Sequence, residues 1–166
     1  MASTFAIHVA KENLKFSAAH FIAYPGFREP LHGHNYQVGA RLEGQLDTTG
    51  YVLDFGLIKR LLKEIVDRLD ERTLIPAQSD CLRIEDQGAQ LCVRYDDDLF
   101  VLPKKDVALL EIMHSSAEEL ARLIADQLWA ALQALGAAAG VHAMEIAVAE
   151  GPGQAAIYRR ELVTAK

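Results

Sequence analysis

The stretch HNYQVGARLEGQL, His34–Leu46, alternates apolar and polar residues along its length. Residues two apart on a strand share a face, so this period reads as a β-strand with one face packed and the other wet. Upstream, FAIHVAKENLKFSAAHFI, Phe5–Ile22, is rich in alternating apolar residues as well. It predicts an earlier strand, bent or bulged near Lys11–Leu14. Downstream, the turn DTTG leads to Asp54, placed as a helix N-cap, and then to FGLIKRLLKEIVDRLD. Its Leu57, Ile58, Leu61, Leu62, Ile65, Val66 and Leu69 form the apolar stripe of an amphipathic helix. SSAEELARLIADQLWAALQALG is a second such helix. Ser115 or Ser116 caps it, Glu118 or Glu119 closes a capping box, and Gly136 stops it. Between the helices, CLRIED, QLCVRYDD and LFVLP read as short strands of an excursion, and VHAMEIAVAEG and AAIYRRELV close the chain as a strand pair. The order predicts one α+β domain over 1–166, with both helices on one face of an antiparallel sheet.

Composition narrows the function. A chain of 166 residues that is 51% hydrophobic can bury a real core. Its net charge of −6 argues against nucleic acid as the main partner, since phosphate binding needs clustered Lys and Arg. No apolar stretch is long enough to span a bilayer, and MASTFAIHVAKENLKF lacks the pattern of a signal peptide. Cys81 and Cys92 form no CxxC motif, so a cytoplasmic protein with free thiols is expected.

EPLHGHNYQV, Glu29–Val38, sets two of the six histidines one residue apart at the start of the central strand. His32 and His34 then project from one face, with Gly33 leaving room between them. Catalytic zinc commonly takes three protein ligands and keeps a fourth position open. His20, at the end of FSAAH, is the best third ligand, because an antiparallel neighbour can bring it beside the pair. A bare HxH is more often a surface or core-edge pattern; FSAAH followed by LHGHNY reverses the balance toward metal. In HAMEIAVAE the alternation puts Met144, Ile146, Val148 and Glu150 on one face. A carboxylate ending an apolar face needs a partner, unless the strand end is simply solvated.

Taken in order, FSAAH, LHGHNY, YVLDFGLIK, the acidic LDE, SSAEELA and VAEGPGQAAIY resemble the signature blocks of the 6-pyruvoyl-tetrahydropterin synthase family, which includes the 6-carboxytetrahydropterin synthases. The resemblance runs from Phe16 to Tyr158. It implies the tunnelling fold, a four-stranded antiparallel sheet with two helices on one side. It also implies a homohexamer, two trimers face to face, with active sites at subunit interfaces. By resemblance His20, His32 and His34 match the ligands of Zn2+, and the substrate is 7,8-dihydroneopterin triphosphate. Glu150 matches the pterin anchor, and a carboxylate can indeed accept the parallel donors of a pterin ring. Ser115, Ser116 and Glu118 match a block that contributes pterin contacts, with helix capping the alternative role.

The chain departs from the family pattern twice. The usual catalytic cysteine stands about four residues before the HGH pair; here that position is Arg28, and Glu29 follows it. This resembles a branch in which glutamate replaces the cysteine and the side chain is cleaved to 6-hydroxymethyl-dihydropterin. The family's Asp-His relay is Asp70 followed by Glu71. A neutral imidazole is poised near pH 7, whereas an ordinary glutamate is not. Glu71 tuned by its neighbours, no relay, or His114 in its place are the alternatives. The expectation is a zinc-dependent lyase on a dihydropterin with Glu29, Asp70 and Glu71 as catalytic candidates. The rivals are 6-carboxytetrahydropterin or 6-pyruvoyl-tetrahydropterin synthesis and a non-catalytic pterin- or metal-binding paralogue.

Overall fold

The computed structural model describes residues 4–162. The alternating stretch becomes β5 (His32–Gly44), the strand on which the others assemble. β1 (Phe5–Val9) and β2 (Lys15–His20) precede it, followed by the two-residue strands β3 (Ala23–Tyr24) and β4 (Phe27–Arg28). After β5 come α1 (Phe55–Asp67), β6 (Arg72–Pro76), and the excursion strands β7 (Arg83–Asp86), β8 (Gln90–Tyr95) and β9 (Asp98–Pro103). β10 (Val107–Leu110), α2 (Ala117–Ala134), β11 (Val141–Gly151) and β12 (Gln154–Glu161) complete the order.

The main sheet runs β10-β6-β2-β5-β11-β12, with β1 also paired to β5. The single bent strand expected over Phe5–Ile22 is two strands. β1 pairs with the C-terminal half of β5 and β2 with its N-terminal half, both antiparallel. A turn closed by Leu14 N–H donating to the Lys11 carbonyl separates them. The antiparallel set β2, β5, β11 and β12 is the four-stranded sheet expected. β6 and β10 extend it in parallel, giving a seven-stranded mixed sheet. Leu74 and Ile75 of β6 are both buried, the continuous apolar pattern of a strand covered on two sides.

Both helices pack on one face, as predicted. Phe16, Tyr36, Val38, Leu42, Ile146 and Val148 meet Ile58, Leu62 and Ile65 of α1 and Leu120, Ile124 and Leu128 of α2. Asp54 caps α1, its side chain accepting the Gly56 N–H at 2.7 Å. Ser116, rather than Ser115, caps α2 by accepting the Glu119 N–H at 3.3 Å. Leu62 is fully buried in this layer. Leu62→Ala is expected to destabilise the fold by about 2–5 kcal/mol, by lost transfer energy plus the cavity left behind. Urea unfolding followed by circular dichroism checks the value.

The opposite face of the sheet is charged. Arg159 reaches Glu43 at 2.9 Å and Glu145 at 2.8 Å, with Arg41 and Glu161 alongside. The hydrogen bond from Arg159, followed by that from Arg41, holds the Glu43 carboxyl down at about 2. The excursion forms its own three-stranded antiparallel sheet, β7-β8-β9. It builds a second apolar cluster, in which Leu91, Val93 and Tyr95 pack with Phe21, Ala23 and Ile75. The excursion therefore rests on the segment between β2 and β5.

Candidate metal centre and active site

β2 and β5 pair so that His20 stands directly opposite His32 and Ala18 opposite His34. Alternation then puts the three imidazoles on the helix-facing side of the sheet. Their ring centroids lie 4.6 Å (His20–His32), 5.2 Å (His20–His34) and 5.0 Å (His32–His34) apart. One nitrogen from each ring falls within 4.8 Å of the others, a spacing that can hold a metal ion. Gly33 serves a different contact from the one expected: a Cβ there would come within 3.1 Å of the Ala18 carbonyl oxygen across the strand pair.

The donor set fits a metal. His20 Nδ1 donates to the Ser115 carbonyl at 2.7 Å, and His32 Nδ1 donates to the Pro30 carbonyl at 2.8 Å. Each bond leaves Nε2 as the ring's lone pair, the arrangement seen in ligating histidines. His20 Nε2 is buried with no hydrogen-bond partner, an orphaned polar atom that a metal would satisfy. Burial lowers the His20 pKa from its ordinary value, outweighing the upward pull of the Ser115 carbonyl and of Glu150. The neutral, ligating form is therefore favoured.

Glu29 sits beside this cluster because the chain doubles back through β3 and β4. Its N–H donates to the Ile22 carbonyl, and its Oε2 accepts the Ile22 N–H, both at 2.9 Å. The backbone thus aims the carboxylate. Glu29 and Glu150 line one cavity with His20 and His32, of 510 Å³, within the range of small-molecule sites. Glu150 reaches it where a register irregularity between Ala149 and Gly151 ends the regular pairing of β11 and β12. Ser116 and Glu118 lie on the cavity wall at the start of α2. Ser115 is fully buried, where its hydroxyl donates to the Phe21 carbonyl and its carbonyl holds His20. Among the described residues the lining contains no lysine or arginine.

Asp70 and Glu71 lie elsewhere in the chain. α1 ends at Asp67, and the following turn returns to β2, where Asp70 Oδ1 accepts the Ser17 N–H at 2.7 Å. Glu71, with φ of 55°, donates its N–H to the Ser17 carbonyl. It lines a second depression with His34 and Asn35. The His114 Nδ1 is buried without a partner, and His114 is not among the residues lining the Glu29 cavity. Sequence reasoning passed over Tyr36. Its hydroxyl is buried and unpartnered. Burial raises its phenol pKa, and the charges of Glu150 and Glu29 raise it further. Its place two residues beyond His34, on the same face, was the available signal.

The sequence profile described as 6-pyruvoyl tetrahydropterin synthase matches residues 8–161. The chain belongs to this family. A Methanocaldococcus jannaschii protein provisionally named a 6-carboxy-5,6,7,8-tetrahydropterin synthase is 33% identical over 150 residues, 90% of this chain and 91% of that one. A Pyrococcus furiosus dihydroneopterin monophosphate aldolase is 37% identical over 59 residues, 36% of this chain and 50% of that one. The crystal structure of 6-pyruvoyl tetrahydropterin synthase from Plasmodium vivax superposes with a TM-score of 0.91 at 34% identity, covering 96% of this chain and 99% of that one. The same Plasmodium protein has been solved with a glutamate, described as a catalytic residue, replaced by alanine and by cysteine. The family's enzymes are lyases acting on pterins, and the tunnelling fold is the one found in this chain. No described helix is long and apolar enough to cross a membrane.

Proposed function

We propose that this chain is a zinc-dependent lyase that cleaves the side chain of 7,8-dihydroneopterin, free or as its triphosphate, to 6-hydroxymethyl-dihydropterin. The observation that carries the reading is the single cavity shared by the Glu29 carboxylate, two of the clustered imidazoles and the Glu150 carboxylate. His20, His32 and His34 would hold the zinc. When bound, the ion supplies Lewis acidity that makes the substrate's side-chain hydroxyls more acidic.

Glu150 accepts the ring N–H and exocyclic amine of the pterin in a bidentate manner. Ser116 and Glu118 add polar contacts at the wall, while Ser115 acts through His20. Glu29 takes the proton of the hydroxyl beyond the scissile C–C bond. That carbon becomes an aldehyde and departs with the rest of the side chain. The bonding electrons pass to the carbon attached to the ring, which the Glu29 carboxyl reprotonates to leave a hydroxymethyl group. The Pyrococcus relative named an aldolase and the Plasmodium relative with a catalytic glutamate both support this reading. Cys81 and Cys92 are outside the cavity lining, so no thiol stands beside Glu29 to act in its place.

A second reading, 6-carboxytetrahydropterin synthesis, is favoured by the name of the Methanocaldococcus relative. It differs in how much of the side chain survives. In either case we infer a cytoplasmic homohexamer, a dimer of trimers with interfacial active sites. A cavity lined by carboxylates needs cations from a neighbouring subunit to hold a triphosphate. Asp70 and Glu71 would likewise take part in catalysis across such an interface, since within one chain they lie outside the Glu29 cavity, Glu71 in the separate depression beside His34.

Incubation of the zinc-loaded protein with 7,8-dihydroneopterin and its triphosphate tests the proposal. Consumption of substrate supports a lyase; stoichiometric pterin binding without consumption makes the chain a binding paralogue. Glu150→Gln is expected to weaken pterin binding by about 1.5–3 kcal/mol, the value of hydrogen bonds to a charged group. That is about a 10- to 150-fold rise in Kd, with zinc content unchanged. Fluorescence titration reads it, and an unaltered Kd would remove Glu150 from the pterin site.

A further inference from the structure

The segment Phe21–Glu29 has little structure of its own, only the two-residue strands β3 and β4. The excursion braces this hairpin from outside. Arg28 Nε and Nη2 converge on Asp98 Oδ2, at the start of β9, with donor–acceptor distances of 2.9 and 2.6 Å. The same guanidinium donates through Nη1 to the Glu29 carbonyl at 2.8 Å. It lies 5.1 Å from the Phe100 ring centroid, and Phe100 stacks on Phe21 with centroids 4.8 Å apart. The Tyr95 hydroxyl donates to the Tyr24 carbonyl at 3.0 Å.

We propose that Arg28 and Asp98 are positioning residues for Glu29. The excursion, through this clamp, fixes the Glu29 backbone so that its carboxylate stays on the Ile22 N–H and in the histidine cavity. The proposal rests on the reading of Glu29 as the base. It also gives the excursion a role in the reaction that the sequence left open. The ion pair is partly solvated, with side-chain exposures of 20% for Arg28 and 53% for Asp98, so it contributes little to global stability. Positioning is more sensitive: a displacement of about 1 Å in a catalytic group costs on the order of 100-fold in rate. Activity and stability should therefore separate.

The experiment is Asp98→Ala, made in the native chain and in the Glu29→Gln background. In the native chain kcat should fall about 10- to 100-fold while KM, zinc content and Tm hold. With Glu29→Gln already present, Asp98→Ala should cost nothing further in residual turnover, because both changes disable one group. Amide hydrogen exchange at Ile22 should quicken in Asp98→Ala, since the carboxylate that binds this N–H is no longer held. Unchanged kcat, or an equal loss in both backgrounds, would overturn the proposal and leave the clamp merely structural. Should the native chain consume no dihydropterin, the lyase reading fails by itself. Exchange at Ile22 then decides the clamp alone: faster exchange upholds it and an unchanged rate overturns it.

Discussion

Replacing Glu29 with glutamine is expected to lower kcat by about 10²- to 10⁴-fold, the range supplied by a positioned general base. The substitution separates chemistry from shape. Glutamine keeps the length of the side chain, and its amide oxygen can still accept the Ile22 N–H that now binds Oε2 at 2.9 Å. The loop between β2 and β5 keeps its apolar anchors in Phe21 and Ala23, so the fold is preserved. What the amide cannot do is accept a proton and return it. KM and zinc content should therefore stay close to native while kcat and kcat/KM fall together, the signature of an interaction needed only in the transition state. Steady-state kinetics with metal analysis on the same samples decides the matter. Full turnover in Glu29→Gln would mean that another group moves the proton.

The second large effect is on the metal. His32→Ala is expected to abolish stoichiometric zinc binding and, with it, turnover. Loss of a group that merely hydrogen-bonds a ligand costs about 10- to 100-fold in metal affinity, and loss of the ligand itself exceeds that. His32 is the residue to change because it is exposed, whereas His20 is only 2% exposed and packs against Tyr36. His32→Ala leaves the core untouched, so lost metal cannot be blamed on lost structure. The orphaned His20 Nε2 gives a second readout, as metal binding satisfies a buried atom and should raise Tm in the native chain more than in the variant. Full zinc occupancy in His32→Ala, measured after dialysis, would sink the three-histidine assignment.

The features legible in the sequence are those governed by local periodicity. Alternation put His32 and His34 on one face, and an antiparallel partner was enough to find His20. The same rule brought Glu150 to the end of the buried run Met144, Ile146 and Val148. The helical stripes and the caps at Asp54 and Ser116 were equally local. What escaped depends on distant pairing. The parallel additions β6 and β10 join the sheet through contacts that no period of two announces. The division of β1 from β2 follows from how β5 shares its length between them. Arg28 and Asp98 are 70 positions apart, and nothing in either neighbourhood predicts their meeting. Asp70 and Glu71 show the reverse case. Their place beside the family's relay block was plain, but in one chain they adjoin Ser17.

If Glu29 and the histidine site together cut the pterin side chain, the product carries the proof. The zinc-loaded protein should be incubated with 7,8-dihydroneopterin triphosphate and the pterin product identified by mass spectrometry. The expected product is 6-hydroxymethyl-dihydropterin, with the departed side chain recovered as a phosphorylated aldehyde. 6-Carboxytetrahydropterin, a pterin that keeps its whole side chain, or substrate recovered intact would contradict that cleavage.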